Sequence, residues 1–169
     1  MTSTTKALET LAINYFLRLQ GQDWRGVAEM YDPEALKEFK VTMSPLAKED
    51  NMDIEQALGE GTTEEAIEEM DEVDFFTKYL ESTMALASEI GEVEFTNLDV
   101  IGSLPEGESV RHVVIRTNSK YAGMDVEKVE TLSFSRMGSG WGMMLQGKIK
   151  DMTNFLKKQR DFMGDLDIS

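Results

Sequence analysis

The stretch VEFTNLDVIGSLPEGESVRHVVIRTNSKYAGMDVEKVETLSFSRMGSGWGMMLQGKIK, residues 93–150, decides the fold. It divides into four β-patterned runs, Val93–Ser103, Ser109–Lys120, Asp125–Met137 and Gly140–Lys150, in which β-branched and aromatic residues recur. The breaks are short: Pro-Glu-Gly-Glu at 105–108, Tyr-Ala-Gly-Met at 121–124, and Gly138-Ser139. Glycine followed by a small polar residue suits a two-residue type II′ hairpin loop. Connections of this length leave only antiparallel neighbours, since a parallel crossover needs a dozen or more residues. The spacing therefore predicts a four-stranded antiparallel meander.

On the N-terminal side the period changes to that of helices. Leu8, Leu11, Ala12, Tyr15, Phe16 and Leu19 recur at three- and four-residue steps, and Gly21 ends that face. Asp23 reads as the cap of a short helix carrying Trp24, Val27, Ala28 and Tyr31. Asp32-Pro33-Glu34 restarts the pattern with a capping carboxylate, a proline in the first turn and an acid near the helix dipole. Leu36, Phe39 and Met43 continue to Ser44-Pro45, which signals a break or kink. Residues 47–61 read as a loop with one short helix. Thr62 and Glu65 stand at capping-box spacing before a long helix to about Glu89, closed by Gly91 in a left-handed C-terminal position. After the strands, Met152, Phe155, Leu156, Phe162 and Met163 mark a final amphipathic helix.

The expected architecture is thus α+β and a single domain over residues 1–169. A helical part spans 1–91, the meander 92–150 and a C-terminal helix 151–165. There is no internal repeat and no low-complexity linker.

Composition excludes several classes of function. Asp and Glu number 32 against 17 Lys and Arg, a formal charge of -15. Nucleic acids and anionic membrane surfaces both demand a cationic footprint, so neither is an expected partner. Without cysteine there is no thiol nucleophile, thiolate metal site or iron–sulfur cluster, and one histidine, His112, rules out any site needing two imidazoles. No metal or cofactor is implied. No run approaches the roughly 20 apolar residues of a membrane span, and no apolar leader core is visible. A cytoplasmic location is the default, unless a leader has been removed.

Tyr15-Phe16, Gly21-Gln22-Asp23-Trp24, Val27-Ala28 and Tyr31-Asp32-Pro33-Glu34-Ala35 form a phrase that resembles the nuclear transport factor 2-like superfamily. The resemblance implies a cone-shaped, cystatin-like α+β fold, in which a curved sheet and helices enclose a pocket. It implies either a non-catalytic binding module or an enzyme of the polyketide-cyclase-like, steroid-isomerase-like or dehydratase kind. The insertion around residues 44–61 and the helix after Lys150 depart from that pattern and would plug or reshape the pocket.

Hairpin turns fix register, so facing residues can be anticipated. A loop at Gly138-Ser139 pairs Phe134 with Met143 and Leu132 with Leu145. A turn centred on Gly123 pairs His112 with Phe134, Val114 with Leu132, and Arg116 with Glu130, the last an opposite-charge neighbour. A loop at 105–108 sets Ile101 beside His112 and Asp99 beside Val114. On that register Asp99, His112, Phe134 and Met143 share the face turned to the helices. Val100, Val113, Ile115 and Met144 share the other, which suits a homodimer.

Asp99 and His112, diagonal on the apolar face, are then candidates for a general base and its orienter, or a structural hydrogen-bonded pair. Tyr15, Trp24 and Tyr31 are expected to line the same cavity with Phe134 and Met143. The acids between Glu60 and Asp74 read as a solvated helix face, because no ligand spacing of a calcium loop is present. The twelve methionines read as core filling, and no GxSxG elbow occurs. The expected function is a non-catalytic module holding a small apolar molecule or a protein segment between sheet and helices. The alternative is a cofactor-independent isomerase, cyclase or dehydratase, with His112 as base, Asp99 as its orienter and Tyr15 or Tyr31 as oxyanion donor.

Overall fold

Capping side chains set the helix boundaries in this computed structural model, which describes residues 3–48 and 54–166. Helix α1 (Ser3–Gln20) gives way at Gly21 to α2 (Trp24–Glu29), whose cap Asp23 accepts the Gly26 N–H at 3.0 Å. Helix α3 (Pro33–Lys48) begins at the predicted proline but runs straight through Pro45. Of the break or kink expected at Ser44-Pro45, the break is corrected: the helix continues, since a proline here removes only one backbone donor, and the Ser44 hydroxyl bonds the Lys40 carbonyl at 2.7 Å. The short helix expected within 47–61 is α4 (Ile54–Leu58); positions 49–53 of that stretch lie outside the described residues.

The long helix expected from Thr62 is two helices. Thr63, rather than Thr62, caps α5 (Glu64–Glu69), Met70 turns extended, and Asp71 caps α6 (Glu72–Ile90) through the Asp74 N–H at 2.7 Å. Two good caps eight residues apart outcompete one continuous helix. Gly91 is also corrected: its φ of 178° is extended backbone, and the residue lies where an added Cβ would come 2.9 Å from that of Ala122.

The sheet is β1 (Val93–Glu106), β2 (Val110–Tyr121), β3 (Met124–Met137) and β4 (Gly140–Met143), antiparallel in the order β1-β2-β3-β4. The fourth strand is shorter than expected, because Gly147 already starts α7 (Gly147–Leu166), ahead of residue 151. The meander, the helical first half and the terminal helix are as the sequence predicts.

Register is where the outcome divides. Phe134 faces Met143 as predicted. Between β2 and β3 the closing pair is Tyr121 and Met124, which puts His112 opposite Ser133 and Val113 opposite Leu132. The predicted pairs His112–Phe134, Val114–Leu132 and Arg116–Glu130 are each off by one. A one-residue slip moves every side chain of a strand to the other face. Between β1 and β2, Thr96 and Ile101 are extra residues, so Asp99 faces Arg116 and Leu104 faces His112.

Val113 and Ile115 are consequently 0% exposed beneath the helices, with Leu132, Phe134 and Met143. The homodimer face expected from Val100, Val113, Ile115 and Met144 is therefore corrected: two of its four residues lie in the core, and Val100 packs against it. The opposite face carries His112, Asp99 and Arg116, with Leu104 and Val129 well exposed. Beneath the inner face, Tyr31, Phe39, Phe75, Phe76 and Tyr79 form a ring cluster with centroids 4.8–6.2 Å apart. Edge-to-face and tilted contacts of this kind add to burial.

Candidate functional site

The seven residues expected to share one cavity separate into three places. Tyr15, Tyr31, Phe134 and Met143 are on the helix side of the sheet. Tyr31 forms a parallel bridge with Met143, which faces Phe134 in turn. Phe134 and Met143 are fully buried core residues. Trp24 stands at the start of α2, in the wall of a cleft of about 390 Å³ between the end of α1, α6 and the start of β1.

His112 and Asp99 are on the outer face, so the Asp99–His112 dyad is corrected. The imidazole Nε2 lies 2.5 Å from Glu106 Oε2 and Nδ1 lies 2.8 Å from Ser133 Oγ. Asp99 is exposed and accepts from the Asn97 amide at 3.3 Å. Neither residue touches the space between sheet and helices.

The polar feature inside is different. Burial pushes the Tyr15 hydroxyl up to about 12, with the Glu130 carboxylate adding to the shift. Tyr31 is raised well above its ordinary value, again by burial first, then by Tyr15 and Glu130. Both therefore remain neutral hydroxyls, able to donate. Neither makes a hydrogen bond among the described residues. Glu130 is held by Lys128, Nζ to Oε2 2.8 Å. Sequence reasoning had absorbed Glu130 into a cross-strand pair with Arg116. Its signal was an acid on the face shared with Leu132 and Phe134.

A larger space opens at the sheet edge. The cleft, about 480 Å³, lies between α3, α7 and the β3–β4 end. Asp32 builds it. Its N–H donates to the Met143 carbonyl at 2.8 Å, and the Met143 N–H donates to Met30 at 2.9 Å. Its side chain accepts from Ser135 Oγ at 2.6 Å and from the Glu34 N–H at 2.9 Å, so both carboxylate oxygens are engaged. Gly142 permits this approach, since a Cβ there would come within 2.9 Å of Asp32 Cα. Gln146 acts as a surrogate strand residue: its amide bonds both the N–H and the carbonyl of Ser133, each at 2.9 Å. That pair carries the chain past β3 and sets Met144 and Leu145 in the cleft wall.

Ala35, Val41, Met144 and Leu145 make the lining largely apolar. Lys37 and Lys150 stand at the rim, their side chains without an ion pair or hydrogen bond among the described residues, whereas Glu38 is paired with Lys157 at 3.2 Å. The one hydroxyl that the lining sets against a carboxylate is Ser135, whose Oγ donates to Asp32. The cleft offers an apolar wall with cationic and amide groups at its mouth.

Among the described residues no group of three or more His, Asp or Glu is placed to hold a metal ion, and no helix is long and apolar enough to cross a membrane. No protein-family model matches the chain, and no curated protein matches it.

Proposed function

We propose that the protein is a non-catalytic binding module of the nuclear transport factor 2-like type, holding a small apolar molecule in the cleft between α3, α7 and the sheet edge. The observation that carries this reading is the cleft's open apolar wall: Val41 is 51% exposed beside Met144 and Leu145, while the polar residue at its base, Asp32, is fully spent on structural bonds. A solvent-exposed apolar wall has the most to gain by covering itself with a ligand.

The test is a thermal-shift screen of small apolar compounds against the parent chain, Val41→Glu and His112→Ala. Val41 is exposed enough to accept the change without unfolding. The reading expects a ligand whose melting shift disappears in Val41→Glu and persists in His112→Ala. A screen in which every shift survives Val41→Glu would sink it.

A second reading, a cofactor-independent acid–base enzyme, is favoured by one observation. Two neutral buried hydroxyls, Tyr15 and Tyr31, lie within electrostatic reach of the Glu130 carboxylate. In that reading Glu130, not His112, is the base. Turnover of any screened compound that is lost in Glu130→Gln but kept in His112→Ala would favour it over binding alone.

A further inference from the structure

Helix α7 is fastened to the body along one flank only. Ile149, Met152 and Leu156 pack against the core, and Thr153 is 1% exposed. The neighbouring flank is bare: Phe155 is 59% exposed and Phe162 65%. Two phenylalanines seven residues apart lie on one line of a helix. Within residues 155–162 the positions Phe155, Gln159 and Phe162 follow one another at steps of four and three. This is the spacing of a coiled-coil seam, with a single polar residue, Gln159, near its middle. The cleft is reached from the other side of the helix, through Lys150 and Asn154. At about 100° per residue, Phe155 is rotated about 140° from Lys150 and 100° from Asn154.

We propose that two copies of this chain pair antiparallel through the exposed α7 seam of Phe155 and Phe162. Charge singles out a second copy as the occupant. In an antiparallel pair centred between Gln159 and Phe162, Lys158 of each copy flanks the seam opposite Asp165 of the other, so both outer contacts are attractive. A parallel pair would set Lys158 against Met163 of the other copy instead. Neither Lys158 nor Asp165 has an ion pair within the chain among the described residues. The seam also sits on an element of net positive charge. Five of the 17 Lys and Arg, at 148, 150, 157, 158 and 160, lie on α7 against three Asp, in a chain of formal charge -15.

Two phenylalanines, each about three-fifths exposed, offer about 200–300 Å² per copy. That is below the roughly 800 Å² per partner of a permanent dimer, so association is expected at tens of micromolar rather than nanomolar concentration.

Sedimentation equilibrium of the full chain over a range reaching several hundred micromolar tests this. The expected mass climbs from 19.1 kDa toward twice that value. Phe162→Glu should hold the chain monomeric with an unchanged far-ultraviolet spectrum. Lys158→Glu and Asp165→Lys should each weaken association about five-fold, and the double variant should return to within about two-fold of the parent. A mass fixed at that of one chain throughout overturns the proposal. So does association that survives Phe162→Glu, which would move the contact to another surface such as the Leu104–Val129 sheet face. Failure of the double charge swap to recover would overturn the antiparallel arrangement.

Discussion

Nδ1 of His112 lies 2.8 Å from Oγ of Ser133, its direct partner across the β2–β3 ladder. With Glu106 on the other ring nitrogen, the imidazole links the outer face of the sheet to the end of β1. Glu106 is largely exposed, and bonds of this kind contribute about 1 kcal/mol. His112→Ala is expected to lower stability by about that amount in a urea titration and to leave binding in the α3–α7 cleft unchanged. A loss above about 3 kcal/mol would show that the ring supports more of the fold than its two contacts suggest.

Ile115 is a residue whose role the register decides. It is 0% exposed, within a core that includes Val113 and Leu132. Ile115→Arg would force a guanidinium into that core without a partner, which belongs to the most damaging class of substitution, about 4 kcal/mol or more. The expected outcome is loss of the cooperative unfolding transition and of near-ultraviolet circular dichroism. If the variant instead remained folded and changed only its state of association, the face assignment of β2 would be wrong.

Much of this layout is legible in the sequence: the strand order, the Gly138-Ser139 hairpin with its Phe134–Met143 pair, and the Asp23 cap. The β2–β3 slip is not, and the reason is local. Ala122 and Gly123 form the loop with φ of 49° and 80°, a two-residue turn with both central residues left-handed. Such a turn ordinarily advertises itself as Asn-Gly or Asp-Gly, and alanine carries no such signal. Arg116 then misleads, because its opposite-charge neighbour is Glu127, at 3.6 Å, rather than Glu130. The extra residues Thr96 and Ile101 have no marker in the alternation at all. Two unreadable details of backbone geometry thus relocate His112 and Asp99, while residues tied to the helices, Tyr15 and Tyr31, stay where the periodicity puts them.

Gly142→Ala tests how the edge cleft is built. The new methyl would come 2.7 Å from Met137 Sδ and 2.9 Å from Asp32 Cα. The thioether can swing away, but the Asp32 backbone is tied to Met143 and cannot yield freely. A cost of about 1–3 kcal/mol is expected, together with faster hydrogen exchange at the Asp32 and Met143 amides. Native exchange rates in the variant would show that α3 docks independently of β4.

Alkaline stability follows from the two interior tyrosines. In the folded chain Tyr15 keeps its proton up to about 12, and Tyr31 is shifted in the same direction. Unfolded tyrosine releases its proton near 10. Above that pH the unfolded chain binds fewer protons than the native one, so stability is full below about 10 and falls as the pH rises toward about 12. Tyr15→Phe should flatten that decline, measured as unfolding midpoints across the interval. An identical slope in parent and variant would contradict the assigned burial.

The two slips in the β1 register bear on how the chain behaves when crowded. β1 is fourteen residues long and ends the sheet, so among the described residues no strand lies beside its outer row of amides and carbonyls, although the Gln20 amide bonds the Phe95 carbonyl. An uninterrupted edge of that length is a template on which another chain can grow in register, the first step toward amyloid. Thr96 and Ile101 cut the pairing into ladders of three, four and five residues. Each bulge bends the strand and breaks the even spacing that an incoming strand must match. Glu94, Asp99 and Glu106 place one acid in each segment, so identical edges also repel. The irregularities that hide the fold's faces from a reader of the sequence also keep its longest open edge from nucleating fibres.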